Sequence, residues 1–255
     1  MLFARSLQQI EDSADLLRVL GRYIHFNATF GGGVANLAGE IAVRQDLFRD
    51  PEEPIDILAD CSIEVASNIF AAAVDEFDER STRYHDTHRT LAKATLKATG
   101  AFCGYDTAAL NAAVRPDEAT LTAIRKVRHG YRVGQRVEEA GLFQGMGFHL
   151  GSELLADEEF RILDGYCRAS QPELAAFLEN TKIEIGGEQH AAYYWIRIHT
   201  SVEADHFEFA VQGANLALRC YAGTADRARV KAWILQGFQE FADVQTDFMQ
   251  SLLKA

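Results

Sequence analysis

The sequence predicts an all-α protein folded as one domain over residues 1–255, on three observations. The chain has only four prolines, Pro51, Pro54, Pro116 and Pro172, so long stretches rich in Ala, Leu, Glu and Arg are left unbroken, which favours helices. Apolar residues recur at helical spacing in most of those stretches. No succession of short, alternating β-branched runs marks out strands.

The elements follow in order. Leu7, Ile10, Ala14, Leu17 and Leu20 set a helical phase from Ser6 to about Phe26. Gly31-Gly32-Gly33 should interrupt it, with a second helix from there to Phe48. Asp50-Pro51-Glu52-Glu53-Pro54 reads as a turn. A third helix is expected from near Ile55 to about Glu79, and a fourth from His85 to Thr99, closed by Gly100. Pro116-Asp117-Glu118 has the form of a helix start, its acids placed for the N-terminal dipole. The pattern then runs towards Leu155, with a break expected at Gly141 or between Gly145 and Gly147, and a short helix to Arg168. Pro172 opens the next helix, and Gly186-Gly187 breaks the chain. Glu188 to Tyr221 reads as one long helix, Gly223 as a separator, and Ala225 to Leu253 as the last helix.

Composition narrows the function. With 48% hydrophobic and 24% charged residues the chain is globular, not a disordered tail. The net charge of −12 repels phosphate backbones and anionic lipid, so neither a nucleic acid nor a membrane is an expected partner. No apolar run approaches the ~20 residues that span a bilayer. The opening MLFARSLQQIEDSADLL meets charge every few residues and lacks a signal-peptide core. A cytoplasmic protein is the expectation. Cys61, Cys103, Cys167 and Cys220 are far apart in sequence and contain no CxxC, so they read as buried thiols.

The strongest local signal is HTSVEADH, His199 to His206. On a helix, steps of four and seven return to within about 40° of the starting direction, so His199, Glu203 and His206 share a face. The stripe continues through Trp195, Ala210 and Gly213, which turns it inward. Three ionisable groups there cost several kcal/mol unless something satisfies them, and two imidazoles with a carboxylate suit iron, manganese or zinc. The bland alternative is an exposed face with solvated histidines. Asp205 points roughly 160° away from Glu203 and should matter far less.

Other ligands must come from partner helices. Leu58, Val65, Ile69 and Ala73 form an apolar stripe that reaches Glu76, with Asp75, Asp78 and Glu79 close by. His85 and His88 stand within one turn, and Leu91, Ala94 and Leu96 suggest that His88 faces inward. Glu153 lies in the apolar stretch GLFQGMGFHLGSELL, where a carboxylate wants a partner, with His149 one turn earlier as a substrate-contact or supporting group. The candidate set is Glu76, His88, Glu153, His199, Glu203 and His206: three imidazoles and three carboxylates, enough for two metal ions sharing a carboxylate. Only Glu203 with His206 makes an ExxH pair at a core position, so a ferritin-like scheme, which needs two, fits poorly.

These residues resemble the haem-oxygenase-like diiron oxidases. The pattern there is an acid and a histidine around the end of one core helix, a lone glutamate, then HxxxD/ExxH. Here it is matched by Asp75-Glu76-Phe77 with His88-Arg89-Thr90-Leu91, then Gly151-Ser152-Glu153-Leu154, then His199 through His206. The likeness spans roughly residues 15 to 220. Glu203 stands where relatives often carry Asp, and the interval from Glu76 to His88 is long, which keeps Glu79 and His85 open as alternatives. The resemblance implies a seven-helix haem-oxygenase-like bundle. It also implies two Fe(II) ions, with manganese as an alternative, and dioxygen as co-substrate. The implied reaction is C–C cleavage, desaturation or N-hydroxylation of a small carboxylic acid, an amino acid or fatty acid, in natural-product biosynthesis. A homodimer is common among relatives.

Two other readings compete. A metal-independent enzyme of the same bundle, of the thiaminase or pyrroloquinoline-quinone-forming kind, would in the first case use a nucleophilic cysteine, for which Cys61 stays open. A non-enzymatic helical binding protein would make the buried histidines structural. Haem fits poorly, since three imidazoles and three acids make a bad porphyrin lining. Phe77, Phe148, Tyr193, Tyr194, Trp195 and Phe207 are candidates for an apolar pocket, and Arg44, Arg83 and Arg197 for a carboxylate anchor.

Overall fold

The structure is a computed structural model that describes residues 2–52 and 60–252, with the side chains of 60, 157 and 201–204 outside the described set. Helices make up 74% of it, which agrees with the all-α class. Eleven helices occur among the described residues. They are α1 Leu2–Gln8, α2 Ser13–Asn27, α3 Phe30–Ala42, α4 Asp60–Phe77, α5 His88–Phe102, α6 Thr107–Ala113, α7 Glu118–Gly130, α8 Glu139–Ser170, α9 Pro172–Asn180, α10 Tyr194–Cys220 and α11 Arg227–Ser251. A two-stranded antiparallel hairpin, β1 Lys182–Ile185 and β2 Glu188–Ala191, precedes α10.

Side-chain caps set many of the helix starts. The carboxylates of Asp12, Asp106, Asp117 and Asp226 accept from backbone N–H groups three residues on, at 2.9, 2.8, 2.8 and 2.7 Å, and Thr87 does the same for α5 at 3.1 Å. Pro172 opens α9 as expected, its missing N–H costing nothing in the first turn.

Several expected boundaries move. The Ser6–Phe26 pattern is two helices, because residues 9–12 leave the helical path so that Asp12 can cap α2. The glycine triplet does not interrupt. It lies inside α3, which ends at Ala42 rather than Phe48. The third helix ends at Phe77, and its expected start at Ile55 lies outside the described residues. Gly100 is likewise inside α5, and α6 was not foreseen. The expected helix through 188–193 is instead a strand and a turn, with Gly186-Gly187 forming the hairpin bend.

The expected break near Gly145–Gly147 is absent: α8 is continuous over 32 residues. The glycines there serve packing. A Cβ on Gly147 would lie 1.8 Å from the Ile234 carbonyl oxygen, and one on Gly237 would lie 1.8 Å from that of Gln144. Small residues thus let the backbones of α8 and α11 touch. α8 also packs along α10, and α10 along α4, which in turn lies on α3. The aromatic core between them includes Tyr23, Phe26, Tyr131, Phe143, Phe148, Phe160 and Phe248, all under 2% exposed. No helix among the described residues is long and apolar enough to cross a membrane.

Candidate metal centre

Four elements deliver the site. The end of α4 carries Asp75 and Glu76, the start of α5 carries His88, the middle of α8 carries His149 and Glu153, and α10 carries His199 and His206. The α10 phase holds for the described side chains: Trp195, His199, His206 and Ala210 are buried, and Asp205 is exposed.

Glu76, His88, Glu153, His199 and His206 all line one cavity of about 60 Å³. That is room for metal ions with small ligands such as water or dioxygen. The side chain of Glu203 lies outside the described residues. Within the cavity, Glu76, His88 and His199 converge most closely, each offering one donor atom with all three atoms within 4.8 Å of one another. Glu76 Oε1 is 2.9 Å from His88 Nδ1 and 3.8 Å from His199 Nε2. The two imidazoles meet edge to face at 4.5 Å, and Phe160 stacks on His199 at 4.1 Å.

Gly31 of α3 makes this convergence possible. A Cβ there would lie 2.8 Å from Glu76 Cβ and 3.3 Å from its Oε2. The glycine lets α3 close over the carboxylate without displacing it.

Glu153 and His206 form a second group along the same cavity. Glu153 Oε1 is 3.2 Å from His149 Nδ1, and its Oε2 is 3.8 Å from His206 Nδ1. His206 Nε2 is 3.3 Å from Asp75 Oδ2. Asp75 is therefore part of the constellation, which the sequence reading passed over in favour of Glu76 alone. Both neighbours reach inward because the end of α4 lies between α5 and α10. Glu79, the alternative to Glu76, is also buried, with Oε2 3.4 Å from His88 Nε2. His85, the alternative to His88, points elsewhere: it sits in a loop with φ of 52°, pairs with Asp78 at 2.7 Å and is 60% exposed.

The electrostatics of the cluster call for added positive charge. A neutral imidazole has one N–H and one lone pair. His88 faces carboxylate oxygens on both ring edges, and so does His206. His199 donates from Nδ1 to the Trp195 carbonyl at 2.7 Å, which turns the Nε2 lone pair towards Glu76. Each ring thus sets one lone pair against an oxygen lone pair unless a proton or a metal ion lies between. Burial pushes the Glu76 carboxyl up, but the facing His199 and His88 rings, in their protonated forms, outweigh it and hold the group well below the carboxylate range. Burial lowers His88, and Glu76 and Glu79 more than reverse this. The hydrogen bond from His206 keeps Asp75 low despite burial. His149 is fully buried, and its Nε2 has no hydrogen-bond partner among the described residues. Nitrogen and oxygen donors in this mixture fit a borderline divalent ion, and the Trp195 carbonyl is the kind of outer support that fixes a ligating tautomer.

Of the expected pocket aromatics only Trp195 lines the cavity. Phe77 is half exposed, Phe148 packs on Tyr131, and the Tyr193 hydroxyl donates to Asp164 at 2.7 Å. The walls come instead from Ile24, Phe26, Phe30, Phe160 and Phe241. The three arginines singled out lie elsewhere. Arg44 pairs with Asp46, while Arg83 and Arg197 cover the rings of Tyr84 and Tyr194. Arg89, next to His88, is the one Lys or Arg among the described residues that line the cavity. No family model matches the chain, and neither a curated protein nor a solved structure matches it.

Proposed function

We propose that the protein is a dioxygen-dependent, non-haem diiron oxidoreductase on a haem-oxygenase-like bundle, acting on a small carboxylic acid. The observation that carries this reading is the convergence of Glu76, His88 and His199 in a cavity that Glu153 and His206 also line. Glu76, His88 and His199 would hold one ion. Glu153 and His206, with Asp75 3.3 Å from His206 and with Glu203 of the same helical pattern, would hold the second. Bound ferrous ions supply the electrons that dioxygen needs to oxidise an unactivated substrate.

The chain's own groups do the rest. The Trp195 carbonyl holds the His199 proton on Nδ1 and keeps Nε2 basic. Phe26, Phe30, Phe160 and Phe241 exclude bulk water from the centre, which strengthens every charge interaction inside it. Arg89 lines the cavity and is exposed, whereas His88 beside it is buried, so the Arg89 guanidinium is in reach of solvent. Its guanidinium can take a substrate carboxylate in a two-pronged bond and leave the carbon chain directed inward.

The thiaminase-like alternative needs a reactive thiol in the cavity. Cys61 lies instead beside Cys220 and Asp50, and burial together with the Cys220 thiol pushes it up to about 12, away from thiolate character. The test is anaerobic ferrous loading followed by dioxygen uptake with a panel of amino and fatty acids. Two irons per chain and substrate-dependent uptake are expected. Arg89→Ala should keep both irons and raise the KM for the acid by about tenfold or more, the value of one charged hydrogen bond. Iron bound at full stoichiometry by His199→Ala would refute the assignment.

A further inference from the structure

We propose a second metal site, remote from the cavity, in which Cys61, Cys220 and Asp50 bind one thiophilic divalent ion of the zinc type. Cys220 is remote in sequence from Asp50 and Cys61, and the fold brings one donor atom from each of the three within 4.8 Å of the other two. Cys61 is the second residue of α4, and Cys220 is the last of α10. The two helices run antiparallel, since Glu76 meets His199 at one end and Ile69 packs on Gly213 between. The thiols therefore lie about fifteen residues, roughly 22 Å, from the cavity ligands along the same helix pair.

Two features separate this cluster from a chance meeting of buried thiols. The first is that the carboxylate is held in place by independent bonds. The Arg49 N–H donates to the Cys220 carbonyl at 2.7 Å, and the Ala222 N–H donates to that of Leu47 at 2.8 Å, which fastens the 47–50 segment to the end of α10. Asp50 itself accepts from the Glu52 N–H at 3.0 Å and from Arg219 at 3.3 Å. These bonds orient a ligand as outer-sphere partners do in metal sites. The second feature is charge. Once a bound ion has displaced the two thiol protons, two thiolates and a carboxylate exceed a divalent ion by one negative charge, and the Arg219 guanidinium on Asp50 supplies the balancing positive one. Cys61 and Cys220 are 5% and 0% exposed, so an uncompensated charge there would be costly.

The geometry suits zinc. With Zn–S bonds of about 2.3 Å in a tetrahedron, neighbouring sulfurs stand ~3.8 Å apart, within reach of the observed spacing. Asp50 is partly exposed, so solvent can supply a fourth ligand. An ion there ties the start of α4 to the end of α10, the two helices that present Glu76 and His199.

Cadmium reports the site, because thiolate ligands give it a charge-transfer band in the ultraviolet that nitrogen and oxygen ligands do not. Titration of the metal-free full chain with Cd²⁺ should show that band saturating at one equivalent. It should persist in Cys103→Ser, Cys167→Ser and His199→Ala, and vanish in Cys61→Ser and Cys220→Ser. Asp50→Asn, which leaves the buried thiols alone, should keep the band and weaken binding at least tenfold. A wild-type protein without the band, or a band that survives in Cys61→Ser, overturns the proposal. So does an Asp50→Asn variant with unchanged affinity.

Discussion

Gly31→Ala should loosen the metal centre while leaving most of the fold intact. The new methyl would lie 2.8 Å from Glu76 Cβ, 3.1 Å from its Cγ and 3.3 Å from its Oε2. Restoring an ordinary carbon–carbon separation of ~3.5 Å requires a retreat of roughly 0.7 Å, taken up by α3, by α4 or by the carboxylate itself. Overpacking of this kind costs about 1–3 kcal/mol of stability. The carboxylate shared by His88 and His199 is the group displaced, so metal affinity should fall about 10- to 100-fold, the range seen when a supporting contact of a ligand is lost. Gly32→Ala is the control. Among the described residues nothing lies within 4 Å of its added Cβ, and the helix should gain up to ~1 kcal/mol from the better helix former. Anaerobic calorimetric titration with Fe(II), alongside thermal unfolding, measures both effects. Equal affinity in the two variants would refute the argument that α3 is fitted to Glu76.

Two further outcomes follow from the fold. Gly147→Ala puts a methyl 1.8 Å from the Ile234 carbonyl oxygen and should destabilise the α8–α11 seam by about 3 kcal/mol, read as a lowered denaturant midpoint; an unchanged midpoint would mean the helices are not in backbone contact. Asp117 caps α7 and pairs with Arg22 at 2.8 Å. Burial pushes its carboxyl up, but the Thr120 bonds and Arg22 bring it below the ordinary value. Its contribution is therefore present above the unfolded value of about 3.9 and is lost as pH falls through the lower folded value. Asp117→Ala should cost about 1 kcal/mol near neutrality, and Asp117→Asn should keep the cap while flattening acid sensitivity between pH 4 and the folded value. An Asn variant with the wild-type acid profile would contradict the assignment.

The sequence showed the site more clearly than the element boundaries, and the reason is periodicity. His199 and His206 are seven apart, so any helix through them puts both on one face, whatever its ends. Asp117 and Pro172 were legible because cap chemistry is local. The hairpin was not: its strands are four residues each, too short to set an alternation against the helical pattern beside them. Gly145 and Gly147 are ambiguous in sequence, since a glycine that breaks a helix and one that admits a neighbouring backbone look alike. The choice among arginines depended on tertiary placement alone. Arg44 pairs with Asp46 two residues on, whereas Arg89 lines the cavity because α5 places it there. Cys61 and Cys220 are 159 positions apart, and only the antiparallel run of α4 and α10 brings them together.

The central claim is that the cavity holds metal ions on these side chains. Crystals soaked with Fe(II) without oxygen and measured at the iron absorption edge test it directly. The account predicts an anomalous peak among Glu76, His88 and His199, and a second beside Glu153 and His206. Iron found only at the surface, with the cavity free of anomalous signal, would contradict it.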